Sequence, residues 1–102
     1  MALARLAAAE AAESVDADTH RRRFHAEWDA KVASMDLPAV LRALGVPLAG
    51  GVHPPAAVVR KAYRDAVLRF HPDRQREASL AQRVRAEEAF KLITSKMEAY
   101  HG

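Results

Sequence analysis

A proline between two long helical patterns constrains this chain most strongly. Residues 58–70 carry apolar side chains at helical spacing, and residues 79–100 form a second pattern of the same kind. Pro72 lies between them, and a proline disfavours the α-helical conformation of the residue before it, so the first helix is expected to end just before this point. The sequence therefore predicts two helical rods joined by a short polar corner, Phe70-His71-Pro72-Asp73-Arg74.

The composition limits what such a chain can do. With 102 residues it is expected to form one small domain with one modest core. It contains no cysteine, which excludes disulfides, thiolate metal ligands and thiol catalysis. No apolar run approaches the roughly 20 residues of a membrane-spanning helix. Acidic residues follow the first apolar ones too closely for a targeting peptide, and the compartment stays open, with the cytoplasm favoured.

The first 35 residues divide into two predicted segments. Residues 1–17 are rich in alanine and poor in large side chains, so we expect a frayed helix or a disordered tail. Residues 18–35 are predicted to form an amphipathic helix that Asp18 or Thr19 would cap. Its apolar stripe consists of Phe24, Trp28, Val32 and Met35. We expect this stripe to pack on the rest of the domain; the alternative is that Phe24, Trp28 and Val32 bind a protein partner.

A short helix is predicted next. Ser34 or Asp36 would cap it, and Pro38 would lie in its first turn, where a proline is tolerated. Gly45 would end it, because a glycine adopts the left-handed conformation that commonly follows a helix.

The two long helices follow. The first is expected from about Pro55 to Phe70, and the second from Ser79 to Tyr100, with Ser79 and Gln82 as a capping box. A short connection makes two such helices antiparallel neighbours. The sequence therefore predicts an all-α fold in which the short helix and the tryptophan helix pack beside an antiparallel pair.

Basic residues concentrate on the first long helix. Its polar side carries Arg60, Lys61, Arg64 and Arg69 against one acid, Asp65. Residues 54–70 thus have a net charge of +3, which equals the net charge of the whole chain. Such a row favours association with an acidic surface, although a solvated helix face without a partner is the commonest role of such charge.

From residue 36 onward the chain resembles a J-domain, the module of DnaJ-type co-chaperones. The resemblance covers residues 36–100, nearly two thirds of the chain. The matching segments are Asp36-Leu37 with Leu41, Leu44-Gly45-Val46, Val59-Arg60-Lys61-Ala62-Tyr63-Arg64, Leu68-Arg69-Phe70-His71-Pro72-Asp73-Arg74 and Ala89-Phe90-Lys91-Leu92-Ile93. It implies a J-domain over residues 36–102, in which an antiparallel two-helix finger carries the His-Pro-Asp tripeptide at its tip.

The resemblance also implies a function. J-domains bind a seventy-kilodalton heat-shock chaperone and stimulate its ATP hydrolysis, without a cofactor or a metal and without catalysis of their own. The partner-binding residues carried over by position are His71, Pro72, Asp73, Arg60, Lys61, Arg64, Arg69 and Arg74. The residues assigned to the core of the finger are Tyr63, Val67, Phe70, Phe90, Ile93 and Met97.

The chain departs from the family pattern in three places. Asp65 stands where members often have a basic or neutral residue, which puts the strength of the basic face in doubt. Leu37 and Pro38 replace an aromatic pair of the opening helix, and no basic fourth helix follows the second long helix. An amphipathic helix before the J-domain is similar to the arrangement in auxilin-like members.

Two other functions remain open. A basic helix in a small helical domain is also typical of nucleic-acid-binding modules. A J-like scaffold could instead bind a partner through the tryptophan helix without stimulating an ATPase. An enzyme is the least favoured class, because the serines have no base nearby in sequence and no phosphate-binding glycine loop exists. His71 and Asp73 would need further donors to bind a metal.

Overall fold

The computed structural model describes the backbone of residues 2–101 and the side chains of residues 16–101. This part of the chain contains α-helices, one 3-10 turn and no strand, which confirms the all-α prediction. The helices are α1 (Ala2–Val32), α2 (Leu37–Ala43), α3 (Ala56–Phe70) and α4 (Leu80–Glu98), and the 3-10 turn spans Pro72–Gln75. Although α1 has 31 residues, no helix among the described residues is apolar enough to cross a membrane.

The helix α1 is continuous where the sequence predicted two segments. Asp18 and Thr19 lie inside α1 rather than capping a new helix, so the predicted boundary at residue 18 is wrong. The alanine-rich segment favours helix throughout, and no breaker interrupts it. The Asp18 carboxylate accepts a hydrogen bond from Arg21 Nη1 at 2.8 Å, a pair three residues apart that fits a helix interior.

The apolar stripe of α1 is part of the core. Phe24, Trp28 and Val32 are buried, and Met35 packs against the same cluster of side chains. The rings of Phe24 and Trp28 stack with their centroids 5.8 Å apart. The prediction that the stripe packs on the domain is confirmed. The alternative of a partner surface formed by Phe24, Trp28 and Val32 is wrong, because each of these residues is at most 8% exposed.

The helix α4 is the central element, since it packs against α1, α2, α3 and the 3-10 turn. Its Ala89 and Ile93 are fully buried. The start of α3 and the residues at the end of α4, among them Ala56 and Ala99, line one cavity. The end of α3 and the first turns of α4 line another. The helices α3 and α4 therefore pack beside each other.

The ends of α2 follow the sequence prediction. Asp36, rather than Ser34, caps the helix, and its side chain accepts a hydrogen bond from the Ala39 amide at 3.1 Å. Gly45 follows the helix with φ of 85°, a conformation that other residues rarely adopt. The Val46 amide then donates to the Leu41 carbonyl at 2.9 Å, which closes the end of the helix.

The start of α4 also follows the prediction. Ser79 Oγ accepts from the Gln82 amide at 3.2 Å, and Gln82 Oε1 accepts from the Ser79 amide at 3.4 Å. This reciprocal pair is the predicted capping box. It fixes where α4 begins, and hence the length of the connection from α3.

A lysine of α4 ties down the end of α1. Lys96 Nζ donates to the Val32 carbonyl at 2.6 Å and to the Met35 carbonyl at 2.8 Å, and both bonds are partly buried. The Val32 carbonyl belongs to the last residue of α1, where helices leave acceptors without partners inside the helix, and the Met35 carbonyl lies in the segment that follows. The Val32 carbonyl also accepts from the Met35 amide at 3.1 Å, so the ammonium group of α4 adds a second, charged donor where α1 ends.

We expect Lys96→Met to lower the free energy of unfolding by about 1–3 kcal/mol, because two partly buried carbonyls lose a charged donor. Lys61→Met is the matched control: this lysine is exposed on α3, and its replacement should change stability by less than about 0.5 kcal/mol. Urea unfolding followed by circular dichroism measures both. Equal effects of the two substitutions would contradict the role of Lys96.

Candidate functional site

The predicted corner is a short 3-10 turn. α3 ends at Phe70, and His71 has an extended backbone with φ of −62° and ψ of 137°. Pro72 then opens the turn, and the Arg74 amide donates to the His71 carbonyl at 2.9 Å. Because the proline fixes its own φ and restricts the residue before it, the sequence itself sets this geometry. The turn presents exposed Pro72, Asp73 and Arg74 between the two long helices.

The imidazole of His71 caps this turn. Its Nδ1 accepts a hydrogen bond from the Asp73 amide at 3.2 Å, which requires Nδ1 to be without a proton. The ring lies edge-on against Phe90, with the centroids 6.3 Å apart and an angle of 82° between the planes. The histidine is thus held from both sides, by the backbone of the turn and by an aromatic ring of α4.

The carboxylate of Asp73 is open to a partner. Its side chain is 72% exposed, and its Oδ1 lies 3.5 Å from Nη2 of Arg76. Its Oδ2 lies 3.7 Å from Nδ1 of His71, which is too far for a hydrogen bond. Exposed pairs of this kind contribute little free energy. The carboxylate can therefore give up its contacts to Arg76 and His71 and pair with a cation of another molecule that lies closer.

Two contacts that the sequence did not predict support the turn. Gln75 Nε2 donates to the Arg69 carbonyl at 2.8 Å, at the end of α3. The guanidinium of Arg69 donates in turn to the Gly45 carbonyl at 2.9 Å, in the loop after α2. Arg69, a predicted partner contact, therefore also holds α3 to the segment that follows α2.

Gln75 and Arg76 are the residues at the turn that sequence reasoning missed. Arg76 lies three residues after Asp73, a spacing at which side chains meet in a helical turn, so this signal was present. Gln75 offered none, because its bond to Arg69 depends on the path of the backbone through the turn.

The basic face of α3 is exposed as predicted. Arg60, Lys61, Arg64, Arg69 and, beyond the helix, Arg74 are all exposed, and so is Asp65. Leu68 was not predicted to take part, yet it is 54% exposed and follows Arg64 by one helical turn. The face thus combines positive charge with one apolar side chain.

The residues assigned to the core of the finger differ in burial. Ile93 is fully buried. Four others are partly buried and pack against the core: Tyr63, Val67, Phe70 and Met97. Phe90 is half-buried and contacts the ring of His71. Its position suits it to support the turn more than to fill the core.

The described residues offer no group of three or more histidine, aspartate or glutamate side chains arranged to hold a metal ion. No family model matches the chain, and no curated protein or solved structure is significantly similar to it. A functional assignment therefore depends on the sequence motifs and on the geometry of the turn and the basic face.

We expect Ile93→Ala to cost about 2–5 kcal/mol of stability, because it leaves a cavity in the core. Phe90→Ala should cost only about 1–2 kcal/mol, because the larger ring is half-buried and less apolar area returns to water. Urea unfolding of both variants tests this order. A larger loss for Phe90→Ala would show that this ring belongs to the core.

Proposed function

We propose that this chain is a J-domain co-chaperone that binds a seventy-kilodalton heat-shock chaperone and stimulates its ATP hydrolysis. The observation that carries the proposal is the exposed His71-Pro72-Asp73 turn at the end of a helix with an exposed basic face. In this proposal α3 and α4 are the two-helix finger of the family, α2 is its short packing helix, and α1 is an additional N-terminal element.

The basic face would orient the partner. Lys61 and Arg64 lie one helical turn apart and are exposed, and Arg60 extends the row. Positive charge arranged in this way increases the rate of encounter with an acidic surface and fixes the register of binding. Asp65 is also exposed on α3 and offsets part of this charge, so we expect each arginine to contribute moderately to chaperone binding.

The turn would supply the specific contact. A carboxylate such as Asp73 can form a bidentate pair with an arginine of the chaperone, which would displace the weak contact to Arg76. Pro72 and the cap by His71 hold the turn in one conformation before binding, so less conformational entropy is lost when the partner is engaged.

Stimulation requires a preference between two states of the chaperone. The chain would shift its partner toward hydrolysis only to the extent that it binds the hydrolysis-competent conformation more tightly. The chain itself would perform no chemistry, and the helical pair would act as a rigid support for the turn and the basic face.

Of the other candidates, a scaffold that binds through the tryptophan helix is not supported, because Phe24, Trp28 and Val32 are buried. A nucleic-acid-binding module is the second candidate, since the basic face of α3 is exposed. Affinity for duplex DNA that falls steeply with salt, without any effect on a chaperone ATPase, would favour it.

We expect Asp73→Asn to abolish stimulation in single-turnover ATPase assays with chaperones from several compartments, while helical content stays unchanged. The substitution keeps the shape of the side chain and removes the charge that would pair with an arginine. Glu77→Gln is the matched control, because it removes an exposed carboxylate just after the turn and should leave stimulation intact. Full stimulation by Asp73→Asn would refute the proposed mechanism.

We expect Arg64→Glu to weaken chaperone binding by about 1 kcal/mol per exposed pair lost, or roughly fivefold, with a smaller loss at high salt. Arg22→Glu makes the same charge change on an exposed position of α1 and serves as the control. Titration calorimetry at two salt concentrations measures the effect. Equal losses for both variants would indicate an effect of net charge and not of the α3 face.

A further inference from the structure

The contact between α1 and α4 includes a buried carboxylate. Glu88 of α4 is 4% exposed, and three basic side chains surround it. Arg21 Nε lies 3.1 Å from Oε1, His25 Nε2 lies 3.7 Å from the same oxygen, and Lys91 Nζ lies 3.6 Å from Oε2. A buried carboxylate needs such partners, because removal from water penalises its charge. Two of the four groups, Arg21 and His25, come from α1, so this cluster joins the two helices.

His25 is the side chain of this cluster that titrates near neutral pH, since arginine and lysine keep their charge there. Its Nδ1 lies 2.9 Å from Oδ1 of Asp29, one turn further along α1, while its Nε2 faces Glu88 on α4. A protonated imidazole carries a proton on both nitrogens, whereas a neutral one carries a proton on only one. Only the protonated ring can therefore donate to Asp29 and at the same time turn a positively charged N–H toward Glu88, a contact that at 3.7 Å is an ion pair and not a hydrogen bond.

The charged groups around His25 have opposite effects on the protonation of its ring. Asp29 and Glu88 attract the protonated ring, and Arg21 and Lys91 repel it. The hydrogen bond that the ring donates to Asp29 is the largest influence and raises the pKa of His25 above its ordinary value of 6.5. Burial opposes this shift, and the charges of Asp29 and Glu88 add smaller raising contributions. The part due to Asp29 acts within α1, and only the part due to Glu88 acts between α1 and α4.

We infer that the attachment of α1 to α4 is linked to the binding of a proton: protonated His25 bridges Asp29 of α1 and the buried Glu88 of α4, and deprotonation weakens this junction. This inference does not depend on the proposed co-chaperone function, because it concerns only the contact between the two helices.

The direction of the pH dependence follows from the raised pKa. The contribution of His25 is fully present below pH 6.5, the ordinary value, and is lost as the pH rises through the higher value of the folded state. α1 should therefore be held more firmly in mildly acidic solution than in alkaline solution. The packing of the core should depend on pH in the same direction, because the same part of α1 carries the buried residues Phe24, Trp28 and Val32.

A double-mutant cycle isolates the contact between the helices. The parent chain, His25→Gln, Glu88→Gln and the double variant are unfolded with urea at about pH 5.5 and at about pH 8.5, on either side of the imidazole titration. At the lower pH, we expect the effect of the double variant on the unfolding equilibrium constant to differ about twofold from the product of the two single effects. At the higher pH, we expect the two single effects to combine without any such difference. The other histidines are present in all four chains, so their titration cancels.

A nuclear magnetic resonance titration of the His25 ring in the folded protein gives a second measurement. Its midpoint should move to lower pH in Glu88→Gln and stay in place in Glu87→Gln, which removes an exposed carboxylate of α4 that pairs with Lys91. Should Glu88→Gln not fold, Glu88→Asp replaces it, since the shorter side chain retracts the charge and must also lower the midpoint. The inference would be overturned if the His25 and Glu88 substitutions were coupled equally at both pH values. It would also be overturned if the midpoint of the His25 titration did not change when Glu88 is replaced.

Discussion

The packing of α4 against its neighbours is the constraint on which the rest of the structure depends. Ala89 and Ile93 are fully buried, so this helix has no room to rotate or slide without exposing the core. Lys96 holds the end of α1 from the same helix, and the capping box at Ser79 fixes its other end. The position of the turn before α4 follows from this, because Pro72–Gln75 lies directly between α3 and α4.

The turn is exposed and yet well supported. His71 is held by an amide of the turn and by Phe90 of α4, and Gln75 is bonded to the last part of α3. These contacts fix the backbone and leave the carboxylate of Asp73 in solvent. An exposed group on a fixed backbone can be recognised with little loss of conformational entropy, which is the arrangement expected of a recognition element.

The sequence predicted well the features that depend on neighbouring residues. It did not predict the contacts that depend on residues far apart in the sequence. Pro72, Gly45 and the capping box act through the backbone next to them, so the end of α2, the end of α3 and the start of α4 could be derived. The continuity of α1 was missed, because Asp18 can cap a helix as readily as it can pair with Arg21 inside one. Lys96, Gln75 and Glu88 gave no signal, since their partners are brought near only by the fold.

Two carboxylates show how burial assigns a role that sequence context does not. Asp73 and Glu88 both have arginine or lysine within three residues, so their neighbourhoods in the sequence look alike. Glu88 is 4% exposed and has its charge compensated from two helices, and loss of these cations would leave a buried carboxylate without a partner. Asp73 is 72% exposed and has only long contacts, so its charge contributes little to the fold and is available to another molecule. Glu88 therefore serves the attachment of α1, and Asp73 is the residue that we propose for recognition.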